Sequence, residues 1–324
     1  MKAVSLCRMN LMTAVNIRKD YPSLSHENKL LMLGSCFSEN MGEKLKSGGF
    51  AIDINPFGIL YNPMSIAKAL EEIKGGVTYS SDKLFEHEGL WHSFMHHGSF
   101  SSNFQAEVID RINTRLSHAH TELSSVDRVL ITFGTSYIYK FKGQVVANCH
   151  KLPESSFERS RTTVAEIVDR YTPLLKDWFR EKPQLAVIFT VSPIRYLRDG
   201  LNESQLSKAI LLLAIDELQR LFPNNIFYFP AFEIMMDELR DYRFYADDML
   251  HPSTMAIDYI WERFSSAFFN AETLSVVEEC EKIHKALSHR PLHPEDKAYK
   301  EFLGQIVLKI NRLKEKYPYL DLKI

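Results

Sequence analysis

Five short apolar runs, each closed by a turn and followed by a stretch of helical spacing, constrain this chain more than any other feature. They occupy residues 29–33, 50–54, 128–133, 184–191 and 226–229. Runs this short and this continuously apolar read as strands buried on both faces, which is how parallel strands under two layers of helix look in sequence. The helical patterns lie between and after them, at 39–46, 63–73, 105–124, 163–180, 203–221, 231–239 and 252–269. Asn62-Pro63 is a start signal for the second of these, with Asn as cap and Pro at the first helical position. In the helix at 203–221, the apolar positions 206, 210, 213, 214 and 218 define the face expected to be buried. The alternation predicts an α/β fold, a flavodoxin-like three-layer sandwich on a mainly parallel five-stranded sheet. Two departures from it are expected. Residues 77–104, with Trp91 and four histidines, read as a small hairpin plus loops, and 137–146 reads as a hairpin turning at Lys142-Gly143.

The same pattern sets the domain organisation. An N-terminal extension covers 1–24 and the α/β unit 25–270. A helical extension, 271–324, holds two helical patterns separated by Arg290-Pro291-Leu292-His293-Pro294. That tail is too small for a self-sufficient core. It is expected to pack back on the main unit through Val276, Ile283, Leu287, Phe302, Ile306, Leu308 and Leu313.

Charge and cysteine usage narrow the function classes. A formal net charge of -2 over 324 residues gives no footprint for nucleic acid. No run approaches the roughly 18 apolar residues of a membrane span, and the first fifteen residues lack a sustained apolar core of the signal-peptide kind. Met12 is an alternative start. The four cysteines, Cys7, Cys36, Cys149 and Cys280, are far apart and form no CxxC. Free thiols in a cytoplasmic protein are the simpler reading. No cofactor is implied, and the oligomeric state is left open.

In an open parallel sheet, ligands bind beyond the carboxyl ends of the strands, so the chemistry is sought there. After the first strand comes Gly34-Ser35-Cys36-Phe37-Ser38. Glycine permits a sharp turn, and Ser35 and Cys36 then sit at a helix N-terminus, whose dipole favours a thiolate or an oxyanion. An ordinary turn with Ser35 as helix cap fits the segment equally well. After the last strand comes Asp247-Asp248-Met249-Leu250-His251-Pro252. An acid three residues before a histidine can hold the imidazole tautomer while the ring acts as general base. Cys149-His150 could join Cys36 and His251 around zinc, but the separations fit no usual ligand spacing, and His150 reads better as a substrate-orienting or surface residue. Ser207-Lys208 could form a dyad, but a helix start with a solvated lysine is the better reading.

These two blocks resemble the first and last blocks of SGNH/GDSL hydrolases. More closely, the chain resembles the GSCFA domain family, with Gly34-Ser35-Cys36-Phe37-Ser38 departing from the eponymous motif only at its last position. Asn55-Pro56-Phe57-Gly58, Tyr61-Asn62-Pro63, Asn148-Cys149-His150-Lys151, Ser192-Pro193, Ser207-Lys208 and Asp241-Tyr242-Arg243-Phe244-Tyr245 extend the resemblance over most of 25–270. It implies a nucleophile after strand one, with His251 as base and Asp248 orienting it. Aligned without gaps, Cys36 takes the nucleophile's place; a shift of one residue gives it to Ser35. The resemblance also implies oxyanion donors. Gly58 suits the glycine after strand two. The usual Gly-x-Asn after strand three reads Gly134-Thr135-Ser136, so its asparagine is replaced by Ser136 or by Asn148 reaching in.

The expected function is therefore hydrolysis of an acyl ester, or acyl transfer, on a small-molecule or carbohydrate ester, with no metal. Two other classes stay in view. One is a binding protein for an acylated sugar or peptide, motivated by the missing asparagine. The other is thiol redox or metal chemistry through Cys36 and Cys149.

Overall fold

The computed structural model describes residues 12–18, 20–288 and 297–322. Its centre is a five-stranded sheet built from β1 (Lys29–Gly34), β2 (Ala51–Ile54), β5 (Arg128–Phe133), β9 (Ala186–Val191) and β10 (Ile226–Tyr228). The order across the sheet is β10-β9-β5-β1-β2 and every pairing is parallel. β1 and β5 pair in register from Leu30↔Arg128 to Gly34↔Thr132, and β5 and β9 from Arg128↔Ala186 to Phe133↔Val191. Both neighbouring connections therefore leave the sheet at the same level.

The helices α1 (Cys36–Ser47), α2 (Pro63–Gly75), α3 (Gln105–Leu123), α4 (Val164–Glu181), α5 (Leu201–Leu221), α6 (Ala231–Glu233) and α7 (Thr254–Phe268) make the two outer layers. α6 runs on into a π-helical turn at Ile234–Glu238. Successive residues of a strand face opposite layers, and the core divides accordingly. Leu31, Leu33, Val129, Ile131, Val187 and Phe189 meet side chains of α2 to α5. Leu30, Met32, Leu130, Ala186 and Ile188 meet those of α1, α6 and α7. This is the three-layer architecture that the five apolar runs predict. Asn62 caps α2 through its side chain, with Pro63 in the first turn.

Two small sheets stand off the main one. β3 (Phe85–His87) and β4 (Leu90–His92) form the hairpin expected within 77–104. β6 (Tyr137–Phe141) and β7 (Gln144–Val146) turn at Lys142 and Gly143, both at positive φ (49° and 76°), as a tight hairpin requires. β8 (Glu158–Arg161) adds to the far edge of β6, a strand not expected from the sequence because Glu158, Arg159 and Arg161 interrupt any apolar pattern.

α5 corrects an expectation. Leu206 and Leu213 are 41 % and 58 % exposed. The buried side is Ser204, Ser207, Lys208, Leu211, Ala214, Ile215 and Leu218. The run Ile210–Leu213 is apolar on every side, so periodicity could not choose a face. The choice falls to the face whose first turns carry polar groups that the sheet edge needs.

The tail forms α8 (Ala271–Ser288) and α9 (Lys297–Lys316), and α8 packs on α1. Val276, Cys280 and Ile283 interlock with Ile306, Ile310, Leu313 and Leu320. Val277 joins the core below α1, and the Asp321 N–H donates to Gly49 O at 3.0 Å. Of the expected tail contacts, Val276, Ile283, Ile306 and Leu313 are buried, whereas Phe302 and Leu308 remain 42 % and 51 % exposed. The segment Arg290–Pro294 of the sequence reading lies outside the described residues. Among those residues, no helix is long and apolar enough to cross a membrane.

Two predictions follow from this packing. A chain ending at Asn270 uncovers Gly49 and the Val277 contact, and should melt at least about 5 °C lower than the full chain in thermal denaturation. The second concerns His96, buried among the Phe57, Tyr79 and Phe100 rings, with its Nδ1 bonded to Ser93 Oγ. Burial pushes its pKa down to about 3. The unfolded chain then binds this proton first, so stability is full above about pH 6.5 and falls as the pH drops toward 3. Between pH 7 and pH 5 the loss of stability in urea unfolding should be about 2 kcal/mol smaller in His96→Gln than in the unaltered protein.

Candidate active site

The strand order places a reversal of winding between β1 and β5, and the crevice beyond such a reversal is where an open α/β sheet binds ligands. A cleft of about 510 Å³ lies there, within the usual size range for a small-molecule site. Residues after β1 (Ser35, Cys36), β2 (Tyr61, Asn62), β5 (Gly134, Thr135) and β9 (Ser192, Ile194–Arg198) line it, together with Lys208 and Leu250-His251. Tyr137 and Tyr139 of β6 form one wall.

The turn after β1 is fixed by close approach. Gly34 has φ +147°, and a Cβ there would collide with the Thr132 carbonyl oxygen and lie 2.6 Å from Ser38 Oγ. Its N–H donates to Asn55 Oδ1 at 2.9 Å and its carbonyl accepts from Leu60 N–H at 2.9 Å. Ser35 is the cap of α1. Its hydroxyl accepts from Phe37 N–H at 3.3 Å and donates to Ser192 Oγ at 3.1 Å, and the residue is 1 % exposed. Cys36 is the first helical residue and is half-buried in the cleft as a free thiol. Burial raises its pKa; the N–H groups of Phe37 and Cys36 and the Lys208 ammonium pull the other way, and Glu39 adds to the rise. Both candidates line the cleft, and they differ in their bonds: the Ser35 hydroxyl is engaged with Phe37 N–H and Ser192 Oγ, whereas Cys36 is a free, half-buried thiol.

The loop before α7 carries the acid–histidine pair, and its His251 lines the cleft. Asp248 Oδ1 accepts from the N–H groups of Leu250 and His251, both at 2.9 Å, and the His251 Nδ1–H donates to Oδ2 at 2.5 Å. Those backbone N–H bonds, with the ring's, hold the Asp248 carboxyl down at about 2. A ring donating from Nδ1 presents Nε2 as an acceptor. The loop is pinned at both ends, by Ala246 N–H to His251 O at 2.8 Å and Arg195 N–H to Leu250 O at 3.2 Å. Ser253 caps α7, so the helix starts at Thr254, two residues later than Pro252 suggests.

The expected oxyanion donors are placed differently. Gly134 and Thr135 line the cleft, but both N–H groups are spent on Tyr61 O, at 2.8 and 3.0 Å. Ser136 is fully buried, with its N–H and hydroxyl both on Ser207 Oγ. Gly58, Asn148 and His150 are not among the residues lining the cleft. Gly58 packs on His97, the Asn148 N–H donates to Phe94 O, and His150 bonds Ser93 O at 2.8 Å and lies 4.4 Å from the His92 ring. Cys149 is likewise away from Cys36's cleft. Among the described residues, no three His, Cys, Asp or Glu side chains converge as a metal site. The group the sequence reading passes over is Asn62. It lines the cleft, and its cap bond to Ser65 N–H uses only Oδ1, leaving the Nδ2 hydrogens to donate.

Lys208 is the largest correction. It is 3 % exposed rather than solvated, and its ammonium donates to Gly134 O at 2.7 Å and Ser192 O at 2.8 Å. Burial lowers its pKa to about 7, with Cys36 acting in the opposite sense. Neighbouring Ser207 gathers Thr135 and Ser136 through its hydroxyl. A signal for this existed in the sequence, since a Ser-Lys pair beside an all-apolar run leaves open which side is buried.

Fold and site together define an α/β protein with a small-residue turn and an acid–histidine loop meeting at the carboxyl edge of a parallel sheet. The chain belongs to the GSCFA family. Residues 29–264 match the GSCFA family and 280–323 match the C-terminal domain of GSCFA domain proteins. No curated protein matches the chain. Among solved structures it is similar to one from Streptococcus pneumonia provisionally described as a platelet activating factor. That match has 11 % identity and a TM-score of 0.37, and covers 73 % of this chain and 83 % of the other.

Because Gly34 has no room for a methyl group, Gly34→Ala should cost about 2–4 kcal/mol in urea unfolding, well above an ordinary glycine replacement.

Proposed function

We propose that the protein hydrolyses or transfers acyl esters, with Cys36 as nucleophile, His251 as general base and Asp248 orienting its ring. The observation that supports this most is the shared cleft. A thiol at a helix N-terminus and a carboxylate-held imidazole line one cavity of substrate size, at the position where a sheet of this winding binds ligands. Cys36 Sγ attacks the ester carbonyl as its proton passes to His251 Nε2. The carbonyl electron pair moves onto oxygen, where the Cys36 N–H and the Asn62 amide are the available donors. On collapse the alcohol leaves with the proton from His251, and water, deprotonated by His251, then releases the acid. The tyrosine wall and Arg195 and Arg198 suit a small-molecule or carbohydrate ester.

A second reading is a binding protein for an acylated sugar or peptide. It is favoured by one observation: the N–H groups of Gly134, Thr135 and Ser136 are all spent within the fold.

Steady-state hydrolysis of p-nitrophenyl acetate separates these readings. His251→Ala and Cys36→Ala should each lower kcat/KM by on the order of 10³-fold or more, with the fold intact. Asp248→Asn should cost a smaller factor than His251→Ala, because its carbonyl can keep the turn while its NH₂ group opposes Nδ1–H. Asp247→Ala should be near neutral. Ser35→Ala should cost about 1 kcal/mol of stability through the lost cap, and little activity. Full activity in Cys36→Ala, or equal losses from Asp247→Ala and Asp248→Asn, would overturn the assignment. No turnover by the unaltered protein on a panel of simple esters would favour binding.

A further inference from the structure

We infer that Lys208 is the charge partner of the Cys36 thiolate, a positioning residue that activates the nucleophile from beneath the cleft. The inference deepens the proposed function and rests on its choice of Cys36. A buried ammonium is costly unless it is paired or well hydrogen-bonded. Lys208 has two carbonyl acceptors, Gly134 O and Ser192 O, which leaves one of its three N–H bonds unassigned. No carboxylate forms an ion pair with it among the described residues. The Phe232 ring lies 5.5 Å from the ammonium, and Cys36, which lines the same cavity, is a group whose ionised form would favour the Lys208 charge against burial. Ser192 joins the two, since its carbonyl takes Lys208 and its hydroxyl takes Ser35, the residue before the thiol. A lysine that only bridged two loops would need the carbonyls alone. This one also lines the same cavity as the nucleophile.

The step is a simple ionisation. The Cys36 S–H bond breaks and its proton goes to water where Lys208 is already an ammonium, or to the Lys208 amine where burial has left it neutral; either way a Lys208 ammonium offsets the new thiolate. The other groups around the thiol are Glu39 on its own helix, which opposes ionisation, and Tyr61, Arg195, Tyr196, Arg198 and His251 around the cleft. Of these, Arg198 is already paired with Glu154.

The test reads the thiol without any substrate. The rate of iodoacetamide alkylation at Cys36, followed by peptide mass spectrometry from pH 5 to 10, gives its apparent pKa. In Lys208→Met that pKa should rise by about one unit or more, a tenfold or greater loss of thiolate at neutral pH. Thermal denaturation establishes that the variant is folded. An unchanged alkylation profile in folded Lys208→Met would overturn the inference. Should that variant fail to fold, the reciprocal measurement decides, because coupling between two sites is mutual. In Cys36→Ala the Lys208 ε-carbon resonance should titrate at lower pH than in the unaltered protein, and an unshifted titration would refute the pairing. If both profiles shift but no ester is turned over, the pairing stands and the hydrolase reading falls.

Discussion

The ammonium of Lys208 ties together the ends of the two central strands on which the cleft depends. β5 and β9 run in register to their carboxyl ends, and the carbonyls of Gly134 and Ser192 just beyond both end on one nitrogen. In a sheet covered on both faces these carbonyls have little water to turn to, and an unpaired buried acceptor is expensive. A lysine reaching from the first turns of α5 satisfies both. With Ser207 gathering Thr135 and Ser136, it makes the floor of the cleft a hydrogen-bonded unit rather than a seam between loops. The positions of Ser35, through Ser192, and of the tyrosine wall, through Tyr137, are then inherited from that floor.

After β5 this floor stands where the sequence resemblance implies a glycine-x-asparagine arrangement. The Gly134 and Thr135 N–H groups are turned toward Tyr61 O and hold the β2–α2 connection against β5. That connection brings Asn62 to the cleft, already fixed by its role as cap of α2. An amide held by a helix cap has little rotamer freedom left to lose, so a donor built this way is rigid before any ligand arrives.

Much of the fold was legible because each main strand is an uninterrupted apolar run with a turn behind it. Gly34-Ser35-Cys36 and Asp248-x-x-His251 were legible as local spacings, since a turn and a three-residue step fix geometry without distant information. What stayed hidden was decided by distant contacts. α5 is apolar on more than one side, so the buried face depends on carbonyls more than seventy and sixteen residues away, at Gly134 and Ser192. β8 is polar throughout and exists because β6 offers it an edge. Gly58, Asn148 and His150 share motifs with the site in sequence, but the 77–104 excursion claims them: Gly58 packs on His97, Asn148 on Phe94 and His150 on Ser93.

The packing of α8 on α1 has a consequence for the order in which the protein is made. The helix that begins at Cys36 ends at Gly48-Gly49, beneath Val277, Cys280 and Asp321. Synthesis proceeds from the N-terminus at roughly 5–20 residues per second, so the cover for one of the earliest helices is among the last segments to leave the ribosome. For about ten to fifty seconds at those rates the far end of that helix is bare, and its thiol end is assembled before its supporting end is closed. Nascent chains would therefore carry Cys36 on an incompletely clamped helix, an interval in which the far end of that helix is open to aggregation partners that the finished molecule excludes.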